Sequence, residues 1–180
     1  ISSPACLQFT LKVEHPSRAA HKLPCVQFLM AIVLAQCINL STSLRPGLSA
    51  RIKWPNDIYL TNTEESLFVP IGKISGILVN CVNSVKRDVY HVLIGVGVNL
   101  FSDPSQSNIT HLSDHLSSPV NKDEFLAELT IRFRNLYSQF LLTDEFPFSD
   151  YYSYWLHSNQ IVQFEDSENG NDSTCRIRGI

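Results

Sequence analysis

Residues 73–82 (KISGILVNCV) and 89–100 (VYHVLIGVGVNL) are two neighbouring apolar runs with the length and composition of strands. The turn between them, around residues 83–88, is short enough for an antiparallel hairpin. The sequence therefore predicts that these two runs pair with each other in one sheet.

Upstream of this hairpin the sequence predicts a strand, a buried helix and a second strand. Apolar and polar residues alternate over 7–13, which is the period of a half-buried strand. Residues 24–40 are almost wholly apolar, with a proline in the first turn, and predict a buried helix. Residues 51–60 predict a strand interrupted at Pro55 by a bulge or an edge, because proline cannot donate a ladder hydrogen bond. Residues 61–71 predict a loop.

Downstream of the hairpin the sequence predicts a loop and two helices. Residues 102–119 are rich in Ser, Asp, Asn and Pro and predict a surface loop. Asn121 or Asp123 can cap the helix that follows, and Ser149 can cap a further short helix. The first of these helices carries one apolar stripe, made of Phe125, Leu129, Phe133, Leu136 and Phe140. Because strands come in hairpins and the helices are separate from them, the predicted fold class is α+β.

A second domain is predicted to begin near the C-terminus. With 180 residues, 44% of them hydrophobic, the chain is long enough for one domain with a full core and the edge of another. A new alternating run starts at Gln160, so residues 1–158 form the first domain and residues 159–180 begin the second. The chain starts at Ile1 and ends as an apolar stretch begins, so we expect a fragment cut at both ends.

Charge and cysteine content argue against several classes of protein. The net charge is −3, the pI is near 6.1 and no basic block occurs, which argues against a partner that is nucleic acid or a membrane surface. No run reaches the roughly 20 apolar residues needed to span a membrane. Five widely spaced cysteines without a Cys-x-x-Cys pair favour reduced, mostly buried thiols and a cytoplasmic location, with organellar targeting left open.

Two kinds of catalytic centre lack support in the sequence. His111 and His115 have metal-like spacing, but no motif places a third ligand beside them. No Gly-x-Ser-x-Gly elbow occurs, so a hydrolase triad is not supported either.

Three short polar segments interrupt the apolar runs. They are Lys53-Trp54-Pro55-Asn56-Asp57, Lys73-Ile74-Ser75-Gly76-Ile77-Leu78 and Gly95-Val96-Gly97-Val98-Asn99. Lysine brings a positive charge, Asn and Asp bring amide and carboxylate oxygens, and glycine lets a ligand approach the bare backbone. Together they predict a site for a small anionic molecule that carries a phosphate.

Each segment has a plain structural interpretation beside the functional one. Lys73 precedes Gly76 by three residues, so its ammonium can lie over backbone and bind carboxylate or phosphate, although an ordinary exposed lysine has the same pattern. Asn56 and Asp57 fit turn chemistry. They equally fit a nucleotide hydrogen bond from Asn56, with Asp57 as a magnesium ligand or a partner for an incoming amine. Trp54 is either a core residue or a pocket wall.

The third segment is a weak dinucleotide fingerprint. The third glycine is absent, and no glycine-rich loop leads into a helix. A strand with bare backbone at Gly95 and Gly97 and an asparagine at its end suits a flat ligand lying against the sheet instead.

In their order and spacing, the three segments resemble the core of biotin–protein ligases, also called holocarboxylase synthetases. Lys-Trp-Pro-Asn-Asp at 53–57 is the most specific string, followed by Lys-x-x-Gly-Ile-Leu at 73–78 and Gly-x-Gly-x-Asn at 95–99. Flanking features agree, namely Ser3-Pro4 with the strand after it, the apolar helix, and residues 151–158, which are similar to eukaryotic members. The resemblance covers about residues 3–164.

This resemblance implies a two-step ligation. Biotin and Mg-ATP first give biotinyl-5′-adenylate and pyrophosphate, and a lysine on a biotin-accepting carboxylase domain then attacks the activated carbonyl. The implied fold is an α+β mixed sheet with flanking helices, related to class II aminoacyl-tRNA synthetases. A small SH3-like β-barrel would follow it.

The resemblance also implies roles for individual residues. Lys73 and Asp57 are the implied catalytic residues: Lys73 contacts the biotin carboxylate and later the adenylate phosphate, and Asp57 serves magnesium and the reaction centre. Asn56 serves ATP, and Asn99 lies by the adenine. The implied binding set is Lys53, Trp54, Asn56, Lys73, Gly76, Gly97 and Asn99.

The sequence departs from the family pattern at several points. A Gly-Arg-Gly-Arg loop that clamps biotin should lie just before Ile1 and is absent, and Ser3-Pro4-Ala5-Cys6 lacks the family's glycine. The loop over 61–72 is longer than the family's turn, and nearly all of the barrel is missing. We therefore expect weak biotin binding and weak or no catalysis by this chain alone.

Two other interpretations stay open. One is a lipoate or octanoate ligase-like acyltransferase of the same superfamily, although the Lys-Trp-Pro-Asn-Asp string favours biotin. The other is a catalytically impaired biotin-binding module that keeps the fold without the clamp.

Overall fold

The computed structural model describes residues 6–63, 69–84, 88–103, 109–143, 145–165 and 172–180. The Ser3-Pro4-Ala5 segment lies outside the described residues, as do parts of the predicted loops at 61–71, 83–88 and 102–119. Within the described ranges the chain forms a five-stranded sheet, three α-helices and a separate two-stranded sheet.

The five-stranded sheet is antiparallel throughout. Its strands are β1 (Cys6–Pro16), β2 (Leu48–Lys53), β3 (Asp57–Asn62), β4 (Val69–Asn83) and β5 (Val89–Asn99), in the order β1-β5-β4-β3-β2. The predicted hairpin is confirmed, because β4 and β5 pair antiparallel from Ser75–Val98 to Asn83–Tyr90. The mixed sheet implied by the resemblance is wrong for these strands. Strands that follow one another along the chain from β2 to β5 are also neighbours in the sheet, and each runs opposite to the one before it.

Helix α1 (Val26–Ser41) is the centre of the core. Every residue from Leu29 to Ala35 is fully buried, and the helix packs against the sheet on one side and against two further helices on the other. A helix covered on both sides needs no polar face, so the prediction of a buried helix is confirmed. By length and composition the helical stretch Ser17–Leu40 also qualifies as a membrane span, and its place in this core accounts for its apolar character.

Helices α2 (Lys122–Leu142) and α3 (Phe148–Tyr154) complete the covered face. Asn121 caps α2, because its side chain accepts hydrogen bonds from the backbone N–H groups of Asp123 and Glu124. The buried stripe includes Tyr137 where Leu136 was predicted. Ser149 does not cap α3: it lies inside the helix, and Pro147 precedes the first helical residue without a side-chain bond.

The predicted strand at 51–60 is two strands with a turn between them. Residues 54–56 reverse the chain, and β2 and β3 pair antiparallel with Lys53 opposite Asp57. The expected bulge at Pro55 is wrong, because the proline lies in the turn and interrupts no strand. The alternative of an edge agrees with the sheet order, in which β2 is an outer strand. This turn places Asp57 at the start of β3.

Two buried polar side chains fasten the short 3₁₀ segment Ser17–Cys25 and strand β1 to helix α2. The ammonium of Lys22, only 6% exposed, donates to the carbonyl oxygens of Phe140 at 2.9 Å and of Thr143. The fully buried His15 contacts the Tyr137 hydroxyl at 2.8 Å, and burial raises the pKa of that hydroxyl to about 12. These contacts fix the end of α2 against the rest of the fold.

The five thiols are free, as predicted from their number and spacing. The expectation that most of them are buried is wrong: Cys37 is buried, Cys6 and Cys25 are half-buried, and Cys81 and Cys175 are exposed. Burial raises the pKa of the Cys37 thiol to about 12, so this thiol stays protonated at neutral pH.

The C-terminal residues form one hairpin, β6 (Ile161–Glu165) paired antiparallel with β7 (Asp172–Arg176). The segment after the hairpin lies beside helix α3, where the backbone of Ile180 contacts the Tyr152 hydroxyl. A new strand after Gln160 was predicted and is present. The division at residue 159 and the start of a β-barrel stay predictions.

Candidate functional site

The sheet has one face packed on the helices and one open face. Along β5, Val92, Ile94, Val96 and Val98 are buried on the helix side, so the alternate residues lie on the open face. Gly95 and Gly97 are two of these, and the open face of β5 therefore presents bare backbone at consecutive outward positions.

The strand register aligns these glycines with partners on three other strands. Gly97 lies between Gln8 of β1 and Gly76 of β4, and Gly76 in turn lies opposite Asp57 of β3. The next outward row contains Thr10, Gly95 and Leu78. A cleft of about 700 Å³ lies over both rows. Its floor is thus flat and bare in the middle, with Leu78, 63% exposed, at one end and Asp57 at the other.

A β-bulge in β4 turns Lys73 toward this floor. Residues three apart on a regular strand lie on opposite faces, which would place Lys73 opposite Gly76. Ile58 pairs with Ser75 but Tyr59 pairs with Lys73, so one residue of β4 has no partner on β3. Ile74 and Ser75 are both buried as a result, and Lys73 joins Gly76 on the open face.

Lys73 and Asp57 form an ion pair over Gly76. The Lys73 ammonium lies 2.6 Å from an oxygen of Asp57, and the two side chains are 47% and 21% exposed. A Cβ on Gly76 would stand 3.2 Å from the ammonium nitrogen and 3.4 Å from the Asp57 oxygen. Glycine therefore gives the pair its room, and the pair presents a fixed charge arrangement to the cleft.

The amides predicted to serve the ligand also bond the strands of the floor. Asn56 Nδ2 donates to the carbonyl of Ile77 at 2.9 Å, and Asn99 Nδ2 donates to the carbonyl of Lys73 at 3.3 Å. Ser75, which was not among the predicted site residues, donates its hydroxyl to the carbonyl of Gly97 at 2.8 Å. These bonds brace β3, β4 and β5 where the cleft lies.

Lys53 and Trp54 do not line this cleft. The Lys53 ammonium lies 3.3 Å from the Tyr59 hydroxyl and above the Tyr59 ring. Trp54 is 52% exposed and borders a different groove with Trp155. Of the eight predicted site residues, five line the cleft, namely Asn56, Asp57, Lys73, Gly76 and Gly97. Asn99 lies beside it and bonds the backbone of Lys73, and Lys53 and Trp54 lie elsewhere.

Sequence reasoning missed Gln8, Thr10 and Leu78 as cleft residues. Gln8 and Thr10 are the polar positions of the alternating run in β1, so their outward direction was readable. Their position beside Gly95 and Gly97 could not be predicted, because the β1–β5 pairing joins residues about 90 positions apart. Leu78 ends the Lys-x-x-Gly-Ile-Leu string, but it belongs to an apolar run and was given no binding role.

The family of the chain is indicated by its first half. Residues 2–99, more than half of the chain, match the sequence profile described as the Biotin/lipoate A/B protein ligase family. This range contains every cleft residue named above.

Two curated relatives are similar over most of the chain. It is 28% identical to the biotin–protein ligase of Homo sapiens, over 93% of this chain and 23% of the human protein. It is 26% identical to the biotin–protein ligase of Schizosaccharomyces pombe, over 86% of this chain and 26% of that protein. The chain therefore spans about a quarter of the length of these relatives.

Solved structures share the fold. Biotin protein ligase from Aquifex aeolicus superposes with a TM-score of 0.69 at 18% identity, covering 98% of this chain and 71% of that one. The same protein in complex with biotin and ATP gives a TM-score of 0.68 at 18% identity, covering 98% of this chain and 68% of that one. At these identities the likeness establishes the architecture alone.

Proposed function

Because the chain belongs to the Biotin/lipoate A/B protein ligase family, we propose that its cleft is the acyl-adenylate site of a biotin–protein ligase. The proposed reaction is ATP-dependent attachment of biotin to a lysine on the biotin-accepting domain of a carboxylase. The names of the curated relatives support biotin as the substrate, and the Aquifex aeolicus complex with biotin and ATP supports the pair of small molecules.

The observation that carries this proposal is the Lys73–Asp57 pair above a glycine floor. Acyl-adenylate formation brings two anions together, a carboxylate and the α-phosphate, so it needs positive charge more than it needs a nucleophilic side chain. Lys73 supplies that charge at the edge of the floor, and its 47% exposed side chain can reach an anionic ligand.

The first proposed step activates biotin. An oxygen of the biotin carboxylate attacks the α-phosphorus of ATP, and the bond from that phosphorus to the bridging β-phosphate oxygen breaks. Pyrophosphate leaves with the bonding electrons. The Lys73 ammonium offsets the negative charge on the α-phosphate, and Gly76 and Gly97 let the flat acyl and nucleotide groups lie against the backbone.

The second proposed step transfers the biotinyl group. The neutral amine of the acceptor lysine attacks the acyl carbon of biotinyl-5′-adenylate, the carbon–oxygen bond to the phosphate breaks, and AMP leaves while the amine loses a proton. Lys73 would again face the phosphate that departs. Asp57 lies beside it and would be a partner for the incoming ammonium before that group loses its proton.

The residues present are compatible with magnesium carried by the nucleotide. Within the described ranges no three His, Cys, Asp or Glu side chains group as a metal cage, and Asp57 is the carboxylate that borders the cleft. Magnesium needs only one or two protein carboxylates when phosphate oxygens and waters complete its shell. Asp57 would hold the ion, which would supply charge neutralisation on the phosphates.

The proposal is tested by supplying the chain with ATP labelled at the α-phosphate, magnesium and one acid at a time. We expect biotin to give a labelled acyl-adenylate and pyrophosphate at the low rate expected of this chain alone, and lipoate and octanoate to give less than about a tenth as much. Preference for lipoate or octanoate would replace biotin with the alternative substrate class.

A binding measurement tests the proposal in the case in which turnover is slow. Calorimetry with biotinol-adenylate, a non-hydrolysable analogue, reports occupancy of the cleft without chemistry. Binding of the analogue without adenylate formation would favour a biotin-binding module. Absence of both would refute the proposed function.

A further inference from the structure

Asn56 and Ile77 exchange two hydrogen bonds, one position beyond the last pair of the β3–β4 ladder, Asp57 with Gly76. The backbone N–H of Ile77 donates to the carbonyl of Asn56 at 2.9 Å, and the side chain of Asn56 donates back to the carbonyl of Ile77 at 2.9 Å. Two adjacent strands normally exchange two backbone bonds at such a position. Here the Asn56 side chain takes the place of its own backbone N–H.

This bond satisfies a carbonyl that is cut off from water. Ile77 is 2% exposed, and an unpaired carbonyl at such a position is unfavourable. The bond to Ile77 uses one of the two N–H donors of the Asn56 amide. A nucleotide would have to break this bond to receive the same donor.

The position of Asn56 also determines the position of Asp57. Asn56 is held on one side by Ile77, and the residue before it, Pro55, accepts a hydrogen bond from Gln27 of helix α1 at 3.2 Å. Asp57 follows directly and reaches the Lys73 ammonium at 2.6 Å. The turn is thus held by strand β4 and by helix α1 just before the carboxylate that pairs with Lys73.

We propose that Asn56 is a positioning residue whose side-chain amide bonds Ile77 and so holds Asp57 against Lys73. Its effect on catalysis, which rests on the function proposed above, then passes through Asp57. This positioning role is separate from the nucleotide contact that the family resemblance implies for Asn56.

The kinetic test is a double-mutant cycle between Asn56 and Asp57 in the full chain. Asn56→Ala is expected to lower the rate of acyl-adenylate formation about tenfold and to leave the KM for ATP within about threefold, since misplacement acts on the reacting geometry. In an Asp57→Ala background, Asn56→Ala should have no further effect. Asn135→Ala, on the exposed side of α2, is the matched control and should match the wild type.

A second measurement separates this inference from the proposed function. Hydrogen exchange at the backbone amide of Ile77 should speed up about tenfold in Asn56→Ala, whether or not the chain forms an adenylate. Asn56→Asp keeps the size of the side chain and removes the donor, so it should speed exchange as well and serves if the alanine variant does not fold.

Three outcomes would overturn the assignment. The first is an Asn56→Ala variant whose KM for ATP rises tenfold or more at an unchanged rate. The second is an effect of Asn56→Ala that persists in full when Asp57 is already alanine. The third is unchanged exchange at Ile77 in both Asn56 variants. A wild-type chain that neither forms adenylate nor binds biotinol-adenylate would refute the proposed function, while the exchange result would still decide the role of Asn56.

Discussion

Lys22 and Lys73 are both paired lysines, and their surroundings give them opposite roles. Lys22 is 6% exposed and donates to carbonyl oxygens of Phe140 and Thr143 at the end of α2. The Lys73 side chain is 47% exposed and meets a carboxylate at the rim of a cleft. One lysine is enclosed by acceptors of the protein, whereas the other faces space that a ligand can enter.

The difference follows from what each charge is paired with. The carboxyl end of a helix carries a partial negative charge and carbonyls without helical partners, so a buried ammonium there is stabilised by the fold itself. Lys73 has a single counter-ion at the surface, a kind of pair that contributes little to stability. The comparison predicts that Lys22 serves stability and Lys73 serves chemistry.

The largest expected effect is the loss of chemistry in Lys73→Ala. We expect acyl-adenylate formation to fall by about 1,000-fold or more, because a charge that stabilises the developing phosphate charge is removed. The free energy of unfolding, measured by urea titration, should stay within about 0.5 kcal/mol of wild type, as for other exposed substitutions. Lys122→Ala, at the exposed start of α2, is the control. Near-normal activity in Lys73→Ala would remove Lys73 from the site.

Lys22→Met should show the reverse pattern. Two helix-end carbonyls would lose a buried donor, so we expect the free energy of unfolding to fall by about 2–3 kcal/mol, measured by urea titration. Adenylate formation per folded molecule should match the wild type. If stability were unchanged, Lys22 would not act as the clamp between the 3₁₀ segment and α2.

The sequence separated these two lysines only in part. The Lys-x-x-Gly-Ile-Leu string marked Lys73, while Lys22 stands in a mixed segment that gave no sign of burial. The apolar period predicted the hairpin of β4 and β5, helix α1 and the cap of α2, because these depend on neighbours within a few residues. Lys22 meets acceptors about 120 positions away, which no local pattern records.

The geometry of the site was also beyond local pattern. Regular alternation places Lys73 and Gly76 on opposite faces, and only the bulge at Ile74 brings them together. A bulge depends on the register with β3, which the sequence predicted incorrectly as the second half of one interrupted strand. The residue types therefore predicted the chemistry of the site, whereas the positions of Lys73 and Gly76 depend on the pairing of strands, which the residue types do not show.

The smallest effects are expected at Gly76 and Gly97. Gly76 gives room to the Lys73–Asp57 pair, whereas Gly97 forms part of the cleft floor, so the two substitutions should affect different kinetic constants. In Gly76→Ala the new Cβ would stand 3.2 Å from the Lys73 ammonium and 3.4 Å from Asp57, so the pair must shift. We expect the rate of adenylate formation to fall about tenfold with the KM for biotin nearly unchanged.

In Gly97→Ala the Cβ would meet only Gln8, at an ordinary 3.9 Å. The pair would stay in place while the floor rises, so we expect the KM for biotin to increase about tenfold at a similar rate. Steady-state kinetics on both variants decide the matter, because equal effects on the same constant would mean that the two glycines do not have separate roles.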